Sequence, residues 1–322
     1  MLAPQGAERL HGSNGWREAL VNLPDWLIAA ARRVPLYRSL PQRPTWPAYS
    51  HTAEDLAAVA TALGDPFGGR HDIEHPPDVL IQAARDLPIY WALAANDLSA
   101  LSRLLAGAWT GLGIAAGQRV ALYDYATSPL VVYASRAYLP HLDAGAADIL
   151  GCLPICNDGL PDLADRCTHI LEYVQPAVLF VDAELMRPLL RALERRGSRT
   201  PSRVVVTSDE APVGSAQIRE WSALLGTEVR QMLRADAPLF FAPPCVTEPL
   251  TFHPDEGTYR VEVLTPDASN DPADDAGRIA VTNLAIRSSI VIRYVTNVVG
   301  IVRDGSCRCG RTGPRVIVND VG

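Results

Sequence analysis

The sequence contains no lysine, because all 29 of its Lys and Arg residues are arginine. This excludes a Schiff-base lysine, a phosphate-loop lysine and any other lysine acting on a bound nucleotide. The chain also has no long uninterrupted apolar run and no basic segment followed by an apolar one at its start. We therefore expect no membrane-spanning helix and no secretory leader, and we predict a cytoplasmic location.

The sequence also has fewer basic than acidic residues. The 29 basic residues face 36 acidic ones, for a net charge of −7. This balance gives no general attraction to phosphate backbones or anionic lipid, so we predict neither nucleic acid nor membrane partners. The six cysteines, without a leader, favour reduced thiols or metal ligands over a disulfide framework. Neither a Gly-x-Ser-x-Gly nor a His-Glu-x-x-His motif is present, so serine-hydrolase and zinc-peptidase functions have no support.

The hydrophobic pattern divides the chain into three regions and predicts an α/β fold. Residues 1–117 are predicted to be mainly helical, because apolar residues recur there at helical spacing. Over residues 118–255, short apolar segments alternate with amphipathic ones, which is typical of a doubly wound parallel sheet. Over residues 256–322 the helical pattern stops, and a small antiparallel β subdomain is predicted. Its expected strands are TYRVEVLTP, GRIAVTNLA, SSIVIRYVT and VVGIVRD.

Four side chains with metal-ligand chemistry occur in two short pairs, Cys245 with His253 and Cys307 with Cys309. Structural zinc sites take four such ligands in a tetrahedron, often from two separate loops. The glycine after Cys309 allows the backbone to turn so that both thiolates face one point. We predict a closed, structural zinc site that joins the β subdomain to the sheet. Four unrelated residues, with His253 on a surface turn, are the alternative.

Three segments resemble the phenylacetate-CoA ligase-like branch of the adenylate-forming (ANL) superfamily. The first, ARRVPLYRSL at residues 31–40, continues in the resemblance with DLAAVATALGDPFGGRHDI at residues 55–73. The other two are IVIRYVT with GRIAVTNLA before it, and CRCGRTGPRV at residues 307–316. The resemblance implies the fold of that family's large N-terminal domain. Some members of the branch carry a structural zinc, and the resemblance maps its ligands onto the same two residue pairs.

The sequence departs from this family where the family handles ATP. The segment corresponding to the phosphate loop, IQAARDLP, has neither glycine nor lysine, and the ribose-binding aspartate is replaced by Val298. The Tyr-Gly motif that packs on adenine and holds magnesium should fall in MLRADAPLFF and is not there. The sequence stops at Gly322, where the family continues into a C-terminal domain with a catalytic lysine. These departures argue against the use of ATP and magnesium, and we expect the C-terminal domain to be missing.

The resemblance favours a repurposed ANL-type protein that handles an aryl or acyl carboxylic acid, or its thioester, in specialised metabolism. Amide, ester or thioester ligase chemistry is the expected reaction type. The family binds its acyl group beside the strand that RVALYDY resembles, and the expected substrate-binding residues here are Tyr123, Asp124, Tyr125, Ser128, Asp209 and Glu210. A strand end and a helix N-cap are the alternative roles for these residues. If the protein is a ligase, Arg85 or Arg293 would neutralise the charge that develops during the reaction. These two residues are candidates by their position in the sequence only.

Two further hypotheses remain open. The first is a non-catalytic protein that binds an acyl ligand or associates with a partner enzyme or with copies of itself. The second is acyl transfer without ATP, with His51 as general base and Asp55 as its support. In the structural alternative, Thr52 to Asp55 form a capping box at the start of a helix.

Overall fold

A computed structural model describes residues 23–37, 50–82, 87–197, 200–264 and 276–320. Two helices, a hairpin and a long helix come before the main sheet. Their bounds are α1 (Asp25–Arg33), α2 (Ala53–Leu63), β1 (Val79–Gln82), β2 (Tyr90–Leu93) and α3 (Ala95–Gly111). The antiparallel hairpin of β1 and β2 lies within residues 1–117, where the sequence predicts mainly helix and no hairpin. Each of its strands has only four residues, too few to establish a clear period in the sequence.

The capping box predicted for α2 is present. The backbone N–H of Thr52 donates to the carboxylate of Asp55 at 2.9 Å, and the backbone N–H of Asp55 donates to Oγ1 of Thr52 at 3.3 Å. These two bonds satisfy N–H groups that have no partner inside the helix. Asp55 therefore has a structural role at the beginning of α2.

The main sheet has six strands in the order β4-β3-β5-β6-β7-β8. Their bounds are β3 (Arg119–Asp124), β4 (Leu153–Asp158), β5 (Val178–Asp182), β6 (Arg203–Asp209), β7 (Glu228–Ala235) and β8 (Phe240–Ala242). All neighbours run parallel except β7 and β8. From β3 the chain passes to β4 on one side and later to β5 on the other. The crevice at the carboxyl ends of such strands is where open α/β sheets bind ligands.

Helices cover both faces of this sheet. Between the strands lie α4 (Pro129–Val132), α5 (Ala146–Leu150), α6 (Ala164–Tyr173), α7 (Ala183–Arg196) and α8 (Ser215–Leu225). Successive side chains of β5 enter opposite cores: Phe180 stacks on Trp109 of α3 at 5.2 Å, while Leu179 packs with α6 and α7. The predicted doubly wound sheet is therefore confirmed, and two-sided burial explains why its strands read as continuous apolar runs.

A second, antiparallel sheet follows, with the order β10-β11-β12-β13-β9. Its strands are β9 (Thr251–Phe252), β10 (Tyr259–Leu264), β11 (Gly277–Asn283), β12 (Tyr294–Arg303) and β13 (Arg315–Val318). The predicted antiparallel β region is thus confirmed. The prediction that SSIVIRYVT and VVGIVRD form two separate strands was wrong. One strand, β12, begins at Tyr294. The preceding serines are held instead by side-chain bonds to the hairpin, such as Ser289 Oγ to the carbonyl of Ala92 at 2.9 Å.

The two sheets share an apolar core in which Phe240 of β8 and Tyr259 of β10 contact at 4.8 Å between ring centroids. Val298 of β12 is buried in the same core. Among the helices that the structure describes, none is both long enough and apolar enough to pass through a membrane.

Candidate functional site

Polar side chains meet where four parallel strands end. Asp124 ends β3, Asp182 ends β5, Asp209 ends β6, and Arg234 lies at the end of β7. We call this group the sheet-edge site, defined as Asp124, Tyr125, Asp182, Asp209, Glu210, Arg234 and Asp236. It lies at the carboxyl edge of the sheet, between β3 and β5, where the order of the strands changes direction. Open α/β sheets bind ligands at this position.

Arg234 is the centre of the sheet-edge site. Its fully buried guanidinium forms an ion pair with the fully buried carboxylate of Asp124. It also lies 3.0 Å from Asp236 and 3.4 Å from Asp182. Burial lowers the pKa of Arg234, but the aspartates outweigh this and raise it well above its usual value, so the group stays charged. Burial raises the pKa of Asp182 to about 6, and the charge of Asp124 adds to the shift.

A chain of hydrogen bonds continues from this network to the neighbouring loops. The hydroxyl of Tyr125 donates to Asp236, and the backbone N–H of Asp236 donates to the carboxylate of Asp209 at 2.8 Å. The guanidinium of Arg234 also lies over the ring of Tyr125, 5.9 Å from its centroid. Tyr125 is thereby held at the edge of the charged network by both its ring and its hydroxyl.

Glu210, in the loop after β6, connects the sheet-edge site to the second sheet. Its carboxylate accepts the backbone N–H of Asn297 at 3.0 Å and bonds to Tyr294. Burial raises the pKa of Glu210 to about 7, although these hydrogen bonds lower it. Its backbone is left-handed, with φ of 53°, a conformation that non-glycine residues adopt at a cost. A strained residue whose carboxyl titrates near neutrality is typical of functional sites.

Two of the predicted substrate-binding residues have side-chain bonds elsewhere in the fold. The hydroxyl of Tyr123 donates to the carbonyl of Leu160 at 2.8 Å, and Oγ of Ser128 accepts the backbone N–H of Val131 at 3.2 Å. Ser128 is therefore the N-cap of α4. The other four, Asp124, Tyr125, Asp209 and Glu210, all belong to the sheet-edge site.

The residues considered for catalysis have different surroundings. Arg293 is buried, with left-handed φ of 53°, and forms a bidentate pair with Glu262 at 2.8 and 3.0 Å. The backbone of His51 pairs with β12 beside Arg293, and burial lowers the pKa of its imidazole to about 4. The ring of His51 is therefore neutral at physiological pH. Arg85 lies outside the described residues.

Sequence reasoning missed three members of the sheet-edge site: Arg234, Asp182 and Asp236. A signal was available, because Asp182 follows the apolar run AVLFV and Arg234 follows QML, which is the pattern of charged residues at strand ends. In a parallel sheet these ends converge on one edge. What the pattern could not supply was the strand order.

The four predicted metal ligands come together. Cys245 follows β8, His253 follows β9, and Cys307 with Cys309 lie between β12 and β13. One ligand atom from each lies within 4.8 Å of all the others. Sγ of Cys245 is 3.6 Å from Sγ of Cys307, and Sγ of Cys309 is 3.3 Å from Nε2 of His253. We call these residues the Cys/His cluster.

The donor set and spacing fit a tetrahedral metal site. Two thiolates bound at 2.3 Å to one tetrahedral ion would be about 3.8 Å apart, close to the spacing found here, whereas a disulfide would require about 2.05 Å. Burial raises the pKa of the Cys245 thiol, but hydrogen bonds from Thr247 and His253 outweigh it and lower the pKa to about 6. The cluster could therefore hold a metal ion through three sulfurs and one imidazole nitrogen.

By sequence, the chain matches no protein-family model and no curated protein. By structure, it is similar to 2-hydroxyisobutyryl-CoA ligase. An open conformation of that enzyme in complex with 2-HIB-AMP and CoA gives a TM-score of 0.72 at 16% identity, covering 94% of this chain and 73% of that one. A postadenylation state with 2-HIB-AMP gives 0.71 at 15% identity, covering 99% and 72%.

At these identities the likeness concerns architecture. It agrees with the helical N-terminal part, the doubly wound sheet and the antiparallel sheet described above. The chain therefore has the fold of the N-terminal domain of adenylate-forming (ANL) enzymes, as its sequence segments predicted.

Proposed function

We propose that this protein binds a small aryl or acyl group at the sheet-edge site, as a thioester or as a carboxylic acid, and acts on it without ATP. The fold supports this, because similar structures of 2-hydroxyisobutyryl-CoA ligase contain an acyl adenylate and CoA. The location also supports it, since the site is at the carboxyl edge of the sheet.

The observation that carries the proposal is the environment of Glu210. Its buried carboxyl, with a pKa of about 7, is present in both protonation states at neutral pH. It can donate a proton to an acyl oxygen in one state and accept one from an attacking group in the other. Tyr125, which is partly exposed, supplies ring surface nearby for an aryl or acyl group.

Charge at the site favours a thioester over a free acid. A carboxylate would have to approach Asp209 and Glu210, while the guanidinium of Arg234 is already shared among three aspartates. A thioester has a neutral carbonyl that accepts a hydrogen bond without this repulsion. The protonated, uncharged form of a carboxylic acid would also bind without this repulsion.

Two features argue against a role for ATP. Val298, at the position of the family's ribose-binding aspartate, is 2% exposed and packs among apolar residues of both sheets. An aliphatic side chain there accepts no hydrogen bond from a ribose. The β7–β8 region, where the adenine motif was expected, holds Arg234 and Asp236 in the buried ion-pair network.

We further propose that the Cys/His cluster binds one structural zinc. Three sulfurs and one imidazole nitrogen are typical of closed zinc sites, which leave no position for substrate. The ligands come from the end of the six-stranded sheet and from two loops of the antiparallel sheet, so the ion would join the two.

Thermal-shift titration tests the substrate proposal. The ligands are benzoate, benzoyl-CoA, 2-hydroxyisobutyrate, its CoA thioester, and ATP with magnesium. We expect a concentration-dependent rise in Tm with a thioester, because a ligand that binds only the native state stabilises it. Glu210→Gln should remove this rise, and Glu194→Gln, at an exposed helical position, should keep it.

The outcomes separate the parts of the proposal. A rise with ATP and magnesium alone would overturn the ATP-independent assignment. No rise with any acid or thioester would overturn acyl binding. A rise that Glu210→Gln leaves unchanged would place the ligand away from the sheet edge.

One observation favours a second candidate function, a non-catalytic protein that stabilises a partner enzyme. The charge of Arg234 is already balanced by buried aspartates, so the network needs no ligand to be stable. This candidate predicts no turnover of any thioester that the protein binds. Chromatographic detection of thioester hydrolysis or acyl transfer would eliminate it.

A further inference from the structure

A cleft of about 740 Å³ runs between α3 and the loops that carry the Cys/His cluster. Its volume lies within the usual range for small-molecule sites. The wall residues that matter here are Arg103, Leu104, Gly107, Phe241, His253 and Arg311. No member of the sheet-edge site lines it, so the cleft is a separate feature of the protein.

Two glycines of α3 matter for this cleft: Gly107 lines it, and Gly111 lies beside Arg311, which also lines it. A Cβ atom on Gly107 would meet no other atom within 4 Å, so the space above this residue is open. One turn further on, a Cβ atom on Gly111 would collide with Nη2 of Arg311. The missing side chain of Gly111 thus lets the guanidinium of Arg311 lie directly against the helix.

The charges of the cleft are not paired with each other. In the part of the chain that the structure describes, Arg103 and Arg311 have no carboxylate within 4 Å, whereas Arg234 and Arg293 are in ion pairs. Asp255 and Glu256, at exposed positions, also line the cleft, and neither forms an ion pair with Arg103 or Arg311 among the described residues. Guanidinium groups bind carboxylate and phosphate oxygens in a bidentate manner, so an anion is the matching ligand.

The loop of the Cys/His cluster holds Arg311 in position. The backbone N–H of Cys307 donates to the carbonyl of Arg311 at 2.8 Å. Gly310, between Cys309 and Arg311, has φ of 87°, a conformation that favours glycine. The turn that directs two thiols toward one point therefore also directs Arg311 into the cleft.

From these contacts we infer that the cleft is a second binding site, for a small molecule with a carboxylate or phosphate group and an apolar body. The acidic group pairs with Arg311, whose guanidinium lies against α3. The apolar body lies over Leu104 and Gly107, and Phe241 lines the cleft beside them. This inference does not depend on the function proposed for the sheet edge.

Calorimetric titration with two probes, benzoate and phenyl phosphate, tests the inference and distinguishes the two anions. Wild type should bind at least one probe saturably. Arg311→Ala should weaken binding by about tenfold or more, as expected for the loss of a charge-assisted bond. Arg308→Ala is the matched control, because Arg308 is in the same loop, is 88% exposed and does not line the cleft.

A second pair of variants leaves the metal loop untouched. Gly107→Leu fills the open space and should abolish binding, while Gly107→Ala adds one carbon and should preserve it. Failure of both probes to bind at millimolar concentration would overturn the inference. So would binding that Gly107→Leu leaves intact, or that Arg308→Ala weakens as much as Arg311→Ala. Loss of benzoate binding in Glu210→Gln but not in Gly107→Leu would assign the probe to the sheet edge instead.

Discussion

The guanidinium of Arg234 and the carboxylate of Asp124 form an ion pair in which neither side chain is exposed to solvent. Asp182 and Asp236 share the same guanidinium. Buried ions lose their hydration, so each depends on its partner, and removing one leaves uncompensated charge in the interior. The stability of the carboxyl edge of the main sheet therefore depends on Arg234.

Replacement of that arginine should be severe. We expect Arg234→Met to lower the free energy of unfolding by about 3–5 kcal/mol, because it leaves buried aspartates without a cation. Urea denaturation measures the effect. Arg187→Met, on an exposed position of α7, should change it little. Equal values for the two variants would contradict a structural role for the network.

Loss of one thiol should empty the proposed zinc site. We expect Cys307→Ser to lose the bound metal and at least about 3 kcal/mol of stability, because metal binding at a structural site is coupled to folding. Metal analysis and thermal denaturation measure the two effects. Cys152→Ser is the control, since its sulfur bonds to the carbonyl of Ala115, a bond that a serine hydroxyl also makes. Unchanged metal content in Cys307→Ser would remove the zinc proposal.

Glu210 should make the stability depend on pH. Its pKa is raised from 4.5 in the unfolded chain to about 7, so the native state binds more protons between these values. Its contribution is fully present below pH 4.5 and is lost as the pH rises through 7. The loss is at most about 3 kcal/mol. Glu210→Gln should flatten this part of the stability curve relative to wild type and to Glu194→Gln. An unchanged curve would mean that the carboxyl is not buried as described.

The capping box separates a structural from a catalytic role for the segment around His51. We expect Thr52→Ala to lower stability by about 1 kcal/mol, because the N–H of Asp55 loses its acceptor. Activity toward any thioester found to be a substrate should be unchanged. A large loss of activity with little loss of stability would instead revive acyl transfer through His51 and Asp55.

Much of the fold could be predicted because it rests on local patterns. The apolar runs of β5 and β6 are buried on both faces, and Thr52 with Asp55 forms a cap within four residues. The hairpin of β1 and β2 and the true start of β12 escaped prediction. Both depend on contacts with distant residues, such as those between Ser289 and Ala92.

The sequence by itself predicted the donor set of the Cys/His cluster, because residue types and short spacings carry that information. Only the tertiary structure decided that Arg234, Asp182 and Asp236 form one buried network with Asp124. It also decided that Arg311 lies against Gly111 in an open cleft. These pairs are far apart in the chain, and strand order and helix packing, which no local pattern encodes, bring them together.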